Sequence, residues 1–422
     1  MITSIRFENF KSFRRYSIAL NDTNIMVGPN NAGKSSILDA LRILNGAYRY
    51  ASRYKPHLIE LPGGATTYGY QIPESSIPVA IEHVHTDLNR EPTHLHFRIS
   101  NGRTIIITFS PDRPTILHFN PGKTPRTAKD FRNEFPINLA IIPPLGPLES
   151  EESLHDADYV QRWSTSHRAP RIFRNMWFYD STRFDEFRVL LEQTWPGMSI
   201  SLPEKDSLLS TSLRMFCLEN RMTREISWAG NGFQIWVQML THIVKAEQGD
   251  LIVIDEPEIY LHPDLQRKVI SVLKGTSRRI LIATHSVEII NEVDPEDVLI
   301  VDKSQPSARR IKEIPQLQES IELLGSTQNM QLARLARSKR ILFVEGKDVR
   351  MLRLFARVAK RDGLFDDSKL TVVPVGGFSE WERVSHTKWA FSKIIDEDMK
   401  ICVLFDKDYR CDDEISEFRQ RL

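Results

Sequence analysis

The chain has 422 residues, 41% of them hydrophobic and 26% charged, which fits a soluble globular protein long enough for two or more cores. Its 56 Lys and Arg are offset by 55 Asp and Glu, so no global basicity marks a nucleic-acid binder, and such binding has to come from local patches. Cys217, Cys402 and Cys411 lack zinc-ligand spacing, Met1–Glu8 lacks a signal-peptide core, and no run approaches the roughly 20 apolar residues that span a bilayer, which together predict reduced thiols and a cytoplasmic protein without a membrane partner.

In chain order, Ile5-Arg6-Phe7-Glu8-Asn9-Phe10 alternates as a strand does, and Lys11-Ser12-Phe13 predicts a second short strand. Thr23-Asn24-Ile25-Met26-Val27 reads as a strand entering Gly28-Pro29-Asn30-Asn31-Ala32-Gly33-Lys34-Ser35, which fits G-x-x-x-x-G-K-[ST] at every defined position. Such a loop cradles phosphates through the N–H groups of Asn30, Asn31, Ala32 and Gly33, while Lys34 reaches the terminal phosphates and Ser35 holds Mg²⁺. Ser36-Ile37-Leu38-Asp39-Ala40-Leu41 starts a helix whose positive end adds to that attraction. From Ile77 to Asn120, alternating runs such as Val79–Val84 and Thr104–Phe109 predict an antiparallel meander. Pro143-Pro144-Leu145-Gly146-Pro147 breaks the pattern, and Glu149–Gln193 reads as polar and helical, with aromatics and arginines clustered from Arg168 to Arg188. Asp250–Asp302 alternates strand and helix, as a parallel sheet with covering helices does.

Two strand ends in that last region carry chemistry. Leu251-Ile252-Val253-Ile254-Asp255-Glu256 is an apolar run ending in two acids: Asp255 is placed to support Mg²⁺, and Glu256 to polarise an attacking water. Arg279–Ala283 leads to Thr284-His285-Ser286, where His285 is placed to sense a γ-phosphate. Together with Phe10-Lys11-Ser12-Phe13, Asp255-Glu256-Pro257-Glu258 and Leu261-His262-Pro263, the chain resembles ATP-binding-cassette-like ATPases of the chromosome-maintenance and recombination type. That resemblance implies a head that binds ATP with Mg²⁺ and a homodimer in which a signature helix of each head completes the other's site. The candidate signature is Ser227-Trp228-Ala229-Gly230-Asn231-Gly232-Phe233-Gln234, with Gly230 and Gly232 toward the phosphate and Ser36 closing the loop's own site. It departs from the usual Ser-Gly-Gly-Gln form. The family's Q-loop glutamine is not identifiable, and its place falls around Ile141–Leu145.

A second α/β pattern begins at Arg340-Ile341-Leu342-Phe343-Val344-Glu345-Gly346, continues through Val372–Gly377, and ends in Lys400-Ile401-Cys402-Val403-Leu404-Phe405-Asp406-Lys407-Asp408. If these strands are parallel neighbours, Glu345, Asp406 and Asp408 converge at one sheet edge and suit Mg²⁺ or Mn²⁺. The acids resemble the Toprim signature, and with the ATPase ahead of it the chain resembles overcoming-lysogenization-defect (OLD) family ATP-dependent endonucleases, an architecture that Gabija-type nucleases share. The resemblance implies that Glu345 is a metal ligand or general base and that Asp406 and Asp408 are metal ligands, with Asp348 further out. Only residues 409–422 follow Asp408, so the Toprim segment is expected to be incomplete at its C-terminus.

The fold class expected is therefore α/β: an ATPase head with a mixed sheet, an antiparallel β lobe and a helical insertion, followed by a doubly wound parallel-sheet Toprim domain. Boundaries fall at 1–304 for the head (insertion about 149–225), 305–335 for a linker and 336–422 for the Toprim domain. The function implied is an ATP-regulated DNA endonuclease in anti-phage defence or DNA processing, acting as a homodimer or higher homo-oligomer with a defence-system partner; a RecF-like ATP switch without nuclease activity competes with it. Ten Lys and Arg between Gln331 and Asp362 face three acids, and Arg350, Arg353 and Arg357 recur at helical spacing, as a phosphate track or a solvated helix face does. The Arg168–Arg188 cluster, with Phe173, Trp177, Phe178 and Phe184, is better explained by packing than by base stacking. His83, His85, His94 and His96 have zinc-like pairing, but a polar sheet face is the simpler account.

Overall fold

In the computed structural model, the residues described are 1–120, 124–166, 168–207, 210–219, 221–247, 250–276, 278–311, 340–345, 349–359, 370–375 and 400–404. They fall in two compact units, Met1–Leu324 and Gly325–Leu422.

In the first unit, β1 (Ile2–Phe10) and β2 (Phe13–Ala19) form a hairpin, and β3 (Thr23–Val27) leads through the glycine-rich loop into α1 (Lys34–Ala51). There follow β4 (His57–Glu60), β5 (Thr66–Ile72), β6 (Thr93–Ile99), β7 (Thr104–Ser110) and β8 (Arg113–Asn120). Seven of these strands pair antiparallel in the order β2-β1-β6-β7-β8-β5-β4, the meander expected from their period-2 alternation. Val79–Val84 departs from that expectation. A short alternating run has no preference strong enough to resist local turns, and Ile81–His83 closes as a 3₁₀ turn, with His83 N–H donating to Ala80 O and Val84 N–H to Ile81 O.

After α2 (Ala128–Glu134) and β9 (Leu139–Ile141) comes the insertion: β10 (Glu152–Ser153), α3 (Ala157–Trp163), α4 (Phe173–Tyr179) and α5 (Phe184–Thr194). It is helical only to Thr194. Beyond that, β11 (Met198–Ile200), β12 (Glu204–Lys205), β13 (Ser212–Arg214), β14 (Phe216–Glu219) and β15 (Met222–Glu225) build, with β10, two three-stranded sheets. The cause is visible in the burial of Leu213, Met215 and Cys217, every second residue, which is a strand's period and not a helix's. Phe173, Trp177 and Phe184 are core residues, and Trp177 Nε1–H donates to Thr241 Oγ1 at 2.9 Å, so packing accounts for these three aromatics of the cluster.

The second sheet is assembled from α6 (Asn231–Lys245), β16 (Leu251–Asp255), α7 (Pro263–Gly275), β17 (Arg279–Ala283), α8 (Val287–Ile290), β18 (Val298–Ile300) and β19 (Arg309–Arg310) and the strands they connect. Its order is β19-β18-β3-β17-β16-β9, parallel throughout except for the β18–β19 edge. Because β19 belongs to this sheet and Ile311 is fully buried, the head runs past residue 304 into the segment expected as linker. Helix α1 buries Ile37, Leu38, Ala40, Leu41, Ile43, Leu44 and Ala47, more than one stripe, because it shares a single core with both sheets. This is an ABC-type ATPase head fold: a parallel P-loop sheet, a core helix and an antiparallel β lobe.

In the second unit, β20 (Arg340–Glu345) is the centre of a parallel trio in the order β21-β20-β22, with β21 (Thr371–Val375) and β22 (Lys400–Leu404) beside it. Helix α9 (Val349–Val358) follows β20.

Candidate nucleotide site

Parallel strands deliver their C-terminal ends to one edge, so the topology of the first unit decides which side chains meet. Strand β17 lies between β3 and β16, in register from Ile25↔Ile282 and Ile254↔Ile282. The loop after β3, the acids at the end of β16 and the histidine after β17 therefore share that edge. The chain order alone does not show that the histidine strand is the middle one.

The loop's glycines are set by geometry. Gly33 has φ 108°, and a Cβ there would lie 2.3 Å from the Phe13 ring, so the Phe10–Phe13 hairpin turn packs directly on the phosphate loop. Helix α1 begins after Gly33 with no side-chain cap, which leaves its first N–H groups facing outward as an anion site requires. Lys34 is buried, and its ammonium donates to Gly28 O at 2.7 Å and Pro29 O at 3.2 Å. Burial lowers its proton affinity, opposed by Glu256, Asp255 and Glu258. Ser35 is exposed, whereas Ser36 faces inward, its hydroxyl 2.9 Å from Ser12 Oγ, so Ser36 fixes the hairpin turn to α1.

At the end of β16 the backbone turns sharply. Glu256 has φ 45°, in the left-handed region that costs a non-glycine residue about 1 kcal/mol, and its N–H still donates to Ala283 O at 2.9 Å. This turn throws the Glu256 side chain out to solvent while Asp255 stays half-buried. Burial raises the Asp255 carboxyl's proton affinity, opposed chiefly by Arg42, whose guanidinium lies 3.5 Å from Asp255 Oδ2. Glu258, the last acid of the Asp-Glu-Pro-Glu stretch, accepts from His285 N–H at 2.7 Å and so ties the end of β17 to the acidic loop. His285 is held below its ordinary imidazole range by burial and by Lys34, so at neutral pH it is uncharged and its 3.9 Å approach to Glu256 is not an ion pair. Ser286 caps α8 and donates to Gln266 Oε1 at 2.6 Å. Sequence reading missed Arg42 and the tethering role of Glu258; the latter's signal was its place in the acidic stretch, while Arg42 had none beyond its helical spacing from Ser35.

The candidate signature lies at the start of α6. Gly230 precedes that helix without a side-chain cap, and nothing would meet a Cβ on it. A Cβ on Gly232 would lie 3.2 Å from Tyr260 O, so the start of α6 and the loop after Glu256 are neighbours. Gln234 points inward: its amide donates to Ser227 O and Ala229 O at 2.9 and 2.7 Å and accepts from Leu148 N–H at 2.7 Å. The glutamine thus builds the turn. Just beyond Ile141–Leu145, the expected place of a Q-loop, glutamines of α6 meet the backbone, with Gln238 donating to Gly146 O at 2.7 Å. Beside Gly230 and Gly232, Trp228 and Tyr260 are 72% and 59% exposed.

In the second unit, Glu345 is the last residue of the central strand β20, paired with Val375. Asp348, Asp406 and Asp408 lie outside the described residues. Arg350, Arg353 and Arg357 belong to α9, along which Met351, Leu354, Phe355 and Val358 form an exposed apolar stripe at i, i+3, i+4 and i+7. The histidines do not assemble as two facing pairs: His83 sits in its 3₁₀ turn, His85 Nδ1 meets Thr93 Oγ1, and His94 Nδ1 meets Thr108 Oγ1. Among the described residues, no group of three or more His, Cys, Asp or Glu side chains is placed to hold a metal, and no helix is long and apolar enough to cross a membrane.

The family described as "AAA domain, putative AbiEii toxin, Type IV TA system" matches residues 23–291, from the strand before the phosphate loop to α8. The Old nuclease of Escherichia phage P2 is 29% identical over 222 residues, 44% of this chain; the matched stretch spans 36% of that nuclease's length. Among solved structures, the SMC head domain from Thermotoga maritima aligns over 74% of this chain and 99% of its own at 15% identity, TM-score 0.42. The Smc head domain derived from Pyrococcus furiosus, with an extended coiled coil and bound to the C-terminal domain of ScpA, aligns over 77% and 99% at 12% identity, TM-score 0.46.

Proposed function

The chain belongs to the AAA-domain family that matches residues 23–291, and from that premise we propose that it is an ATP-regulated, Mg²⁺-dependent DNA endonuclease of the OLD type, serving anti-phage defence or DNA processing. The observation that carries the ATP half is the shared edge of β3, β16 and β17, which brings Lys34, Asp255 and His285 to one place. In this reading Asn30, Asn31, Ala32 and Gly33 bind phosphate oxygens through their N–H groups. Lys34 exchanges its two carbonyl acceptors for the terminal phosphates. Glu256 orients the attacking water, and neutral His285 donates to the γ-phosphate. Ser35 and Asp255 offer the oxygen donors that a hard cation takes, and they would hold Mg²⁺.

The nuclease half rests on the parallel trio, in which Glu345 ends the central strand and Asp406-x-Asp408 lies just beyond β22 in the chain. This acidic oxygen set suits Mg²⁺ or Mn²⁺, which at such a site lowers the barrier to phosphodiester cleavage by stabilising the attacking and leaving oxygens. Glu345 acts as ligand or general base, and Asp406 and Asp408 as ligands. Two heads, each offering Gly230 and Gly232 of its signature turn to the other's nucleotide, form the homodimer; exposed Trp228, Ile259 and Tyr260 supply apolar area around that turn. ATP-driven engagement then governs when DNA is cut, and a defence-system partner or further copies of the chain would join the dimer.

Plasmid nicking tests the proposal. Wild-type protein with Mg²⁺ or Mn²⁺ and ATP is expected to convert supercoiled DNA to open circles, and Asp406→Ala/Asp408→Ala to lose at least about 100-fold of that rate. A wild type as inert as the double variant with every metal and nucleotide, while ATP still binds, would leave an ATP switch without nuclease activity.

A further inference from the structure

Helix α1 carries a polar stripe of which the nucleotide reading uses only Ser35. Ser35, Asp39 and Arg42 recur at i, i+4 and i+7, so they share one face of the helix that leaves the phosphate loop. Asp39 is held at both oxygens: Oδ2 accepts from Lys11 in the hairpin turn, and Oδ1 accepts from Arg42 at 2.8 Å. The other arm of the Arg42 guanidinium reaches Asp255 Oδ2 at 3.5 Å, across 213 residues of chain. All four side chains are between 19% and 29% exposed, two acids and two cations in a neutral, half-buried row from the Phe10–Phe13 turn to the end of β16.

We propose that Arg42 is a positioning residue for Asp255: anchored on Asp39, it holds one carboxylate oxygen of Asp255 and leaves the other directed to the cation that accompanies ATP. The inference rests on the reading of Asp255 as Mg²⁺ support. Two features of the geometry favour a clamp over a chance ion pair. The shorter bond is to the anchor, so Asp39 holds the guanidinium more closely than Asp255 does. The contact also uses a different arm, so one planar fork reaches two carboxylates from two separate nitrogens, a span that the single nitrogen of a lysine ammonium does not have. The 3.5 Å separation is loose enough to orient Asp255 without occupying it as a tight bidentate pair would.

Binding of a fluorescent ATP analogue to the full chain, measured in Mg²⁺ and again in EDTA, tests this. Wild type is expected to bind more tightly with Mg²⁺. Arg42→Ala is expected to lose about 10-fold of that Mg²⁺-dependent gain while its affinity in EDTA stays within about twofold, because the phosphate loop is untouched. Arg42→Lys, which keeps the charge and the fold but not the span, is expected to lose most of the same gain, and Asp39→Asn to follow it. An undiminished gain in Arg42→Lys overturns the clamp, as does equal loss of affinity in Mg²⁺ and EDTA, which marks a merely structural role. A wild type with no Mg²⁺-dependent gain overturns the reading of Asp255 itself, and the clamp with it.

Discussion

Single residues in this fold carry pH sensitivity away from the nucleotide site. His94 and His96 on β6 and His118 on β8 share the outer face of the seven-stranded sheet, with Ile106 between His96 and His118 in register. Burial, with the neighbouring His94 and His96 charges adding to it, pushes His118 down to about 4, and burial also holds His94 and His96 below their ordinary range. The unfolded chain takes up these protons near pH 6.5, whereas the folded chain refuses the one on His118 until about pH 4. The contribution of these histidines to stability is therefore expected to be flat above pH 7 and to fall as pH drops from 6.5 toward 4. Solvent screening at a partly exposed face keeps the His118 share on the order of 1 kcal/mol at pH 5. Urea unfolding of wild type and His118→Gln at pH 7.5 and 5.0 checks this: the variant should lose less stability on acidification, and equal losses would show that His118 does not set the slope.

At the scale of elements, one buried ion cluster joins the insertion to the candidate signature turn. Arg174 on α4 is fully buried; it donates to Glu225 Oε1 at 2.6 and 3.0 Å and to Glu152 Oε2 at 3.1 Å, while Glu225 Oε2 accepts from Ser227 N–H at 2.8 Å. Burial raises the proton affinity of Glu152 against the hydrogen bonds that oppose it, a sign of how much desolvation Arg174 offsets. Arg174→Met should fill the space but strand two buried carboxylates, costing about 3–5 kcal/mol. Thermal unfolding measures this, and a loss under about 1 kcal/mol would mean that protonation of the glutamates replaces the arginine. Neither this cluster nor the Arg42–Asp255 pair was legible in the sequence, because each joins residues far apart in the chain through a fold that periodicity does not specify. What periodicity did convey was local and repeated. The β6–β8 alternation, the apolar runs of β16 and β17, and the glycine loop between a strand and a helix each state their own environment over several residues. Val79–Val84 and the strands after Thr194 failed for the complementary reason: runs of two to six residues of mixed polarity, unlike the apolar runs of β16 and β17, carry too few periods to separate turn, strand and helix.

For the molecule as a whole, the strained turn at Glu256 is where the proposed chemistry and the proposed assembly meet. Its left-handed backbone sets Glu256 outward next to the loop that carries Ile259 and Tyr260, and Tyr260 itself has φ 64°, so two unfavourable conformations fall within five residues. Strain of this density is retained where the surroundings over-determine it, and here the Glu256 N–H bond to β17 and the close approach of Tyr260 O to Gly232, where a Cβ would lie 3.2 Å away, do so. Because the bond and the contact use backbone atoms, Glu256→Gln should keep the turn and remove only the carboxylate proposed to orient water. Expected is a chain that binds ATP, turns it over at least about 100-fold more slowly, and accumulates as a dimer in ATP and Mg²⁺, seen as a doubled mass by light scattering and reversed by ADP. Trp228, the most exposed aromatic beside the candidate signature turn, supplies the control: Glu256→Gln/Trp228→Ser should bind ATP equally well yet remain at the monomer mass. A dimer that forms equally with and without ATP would detach assembly from the nucleotide. A monomer under all conditions would remove the two-headed clamp and leave each head to act alone.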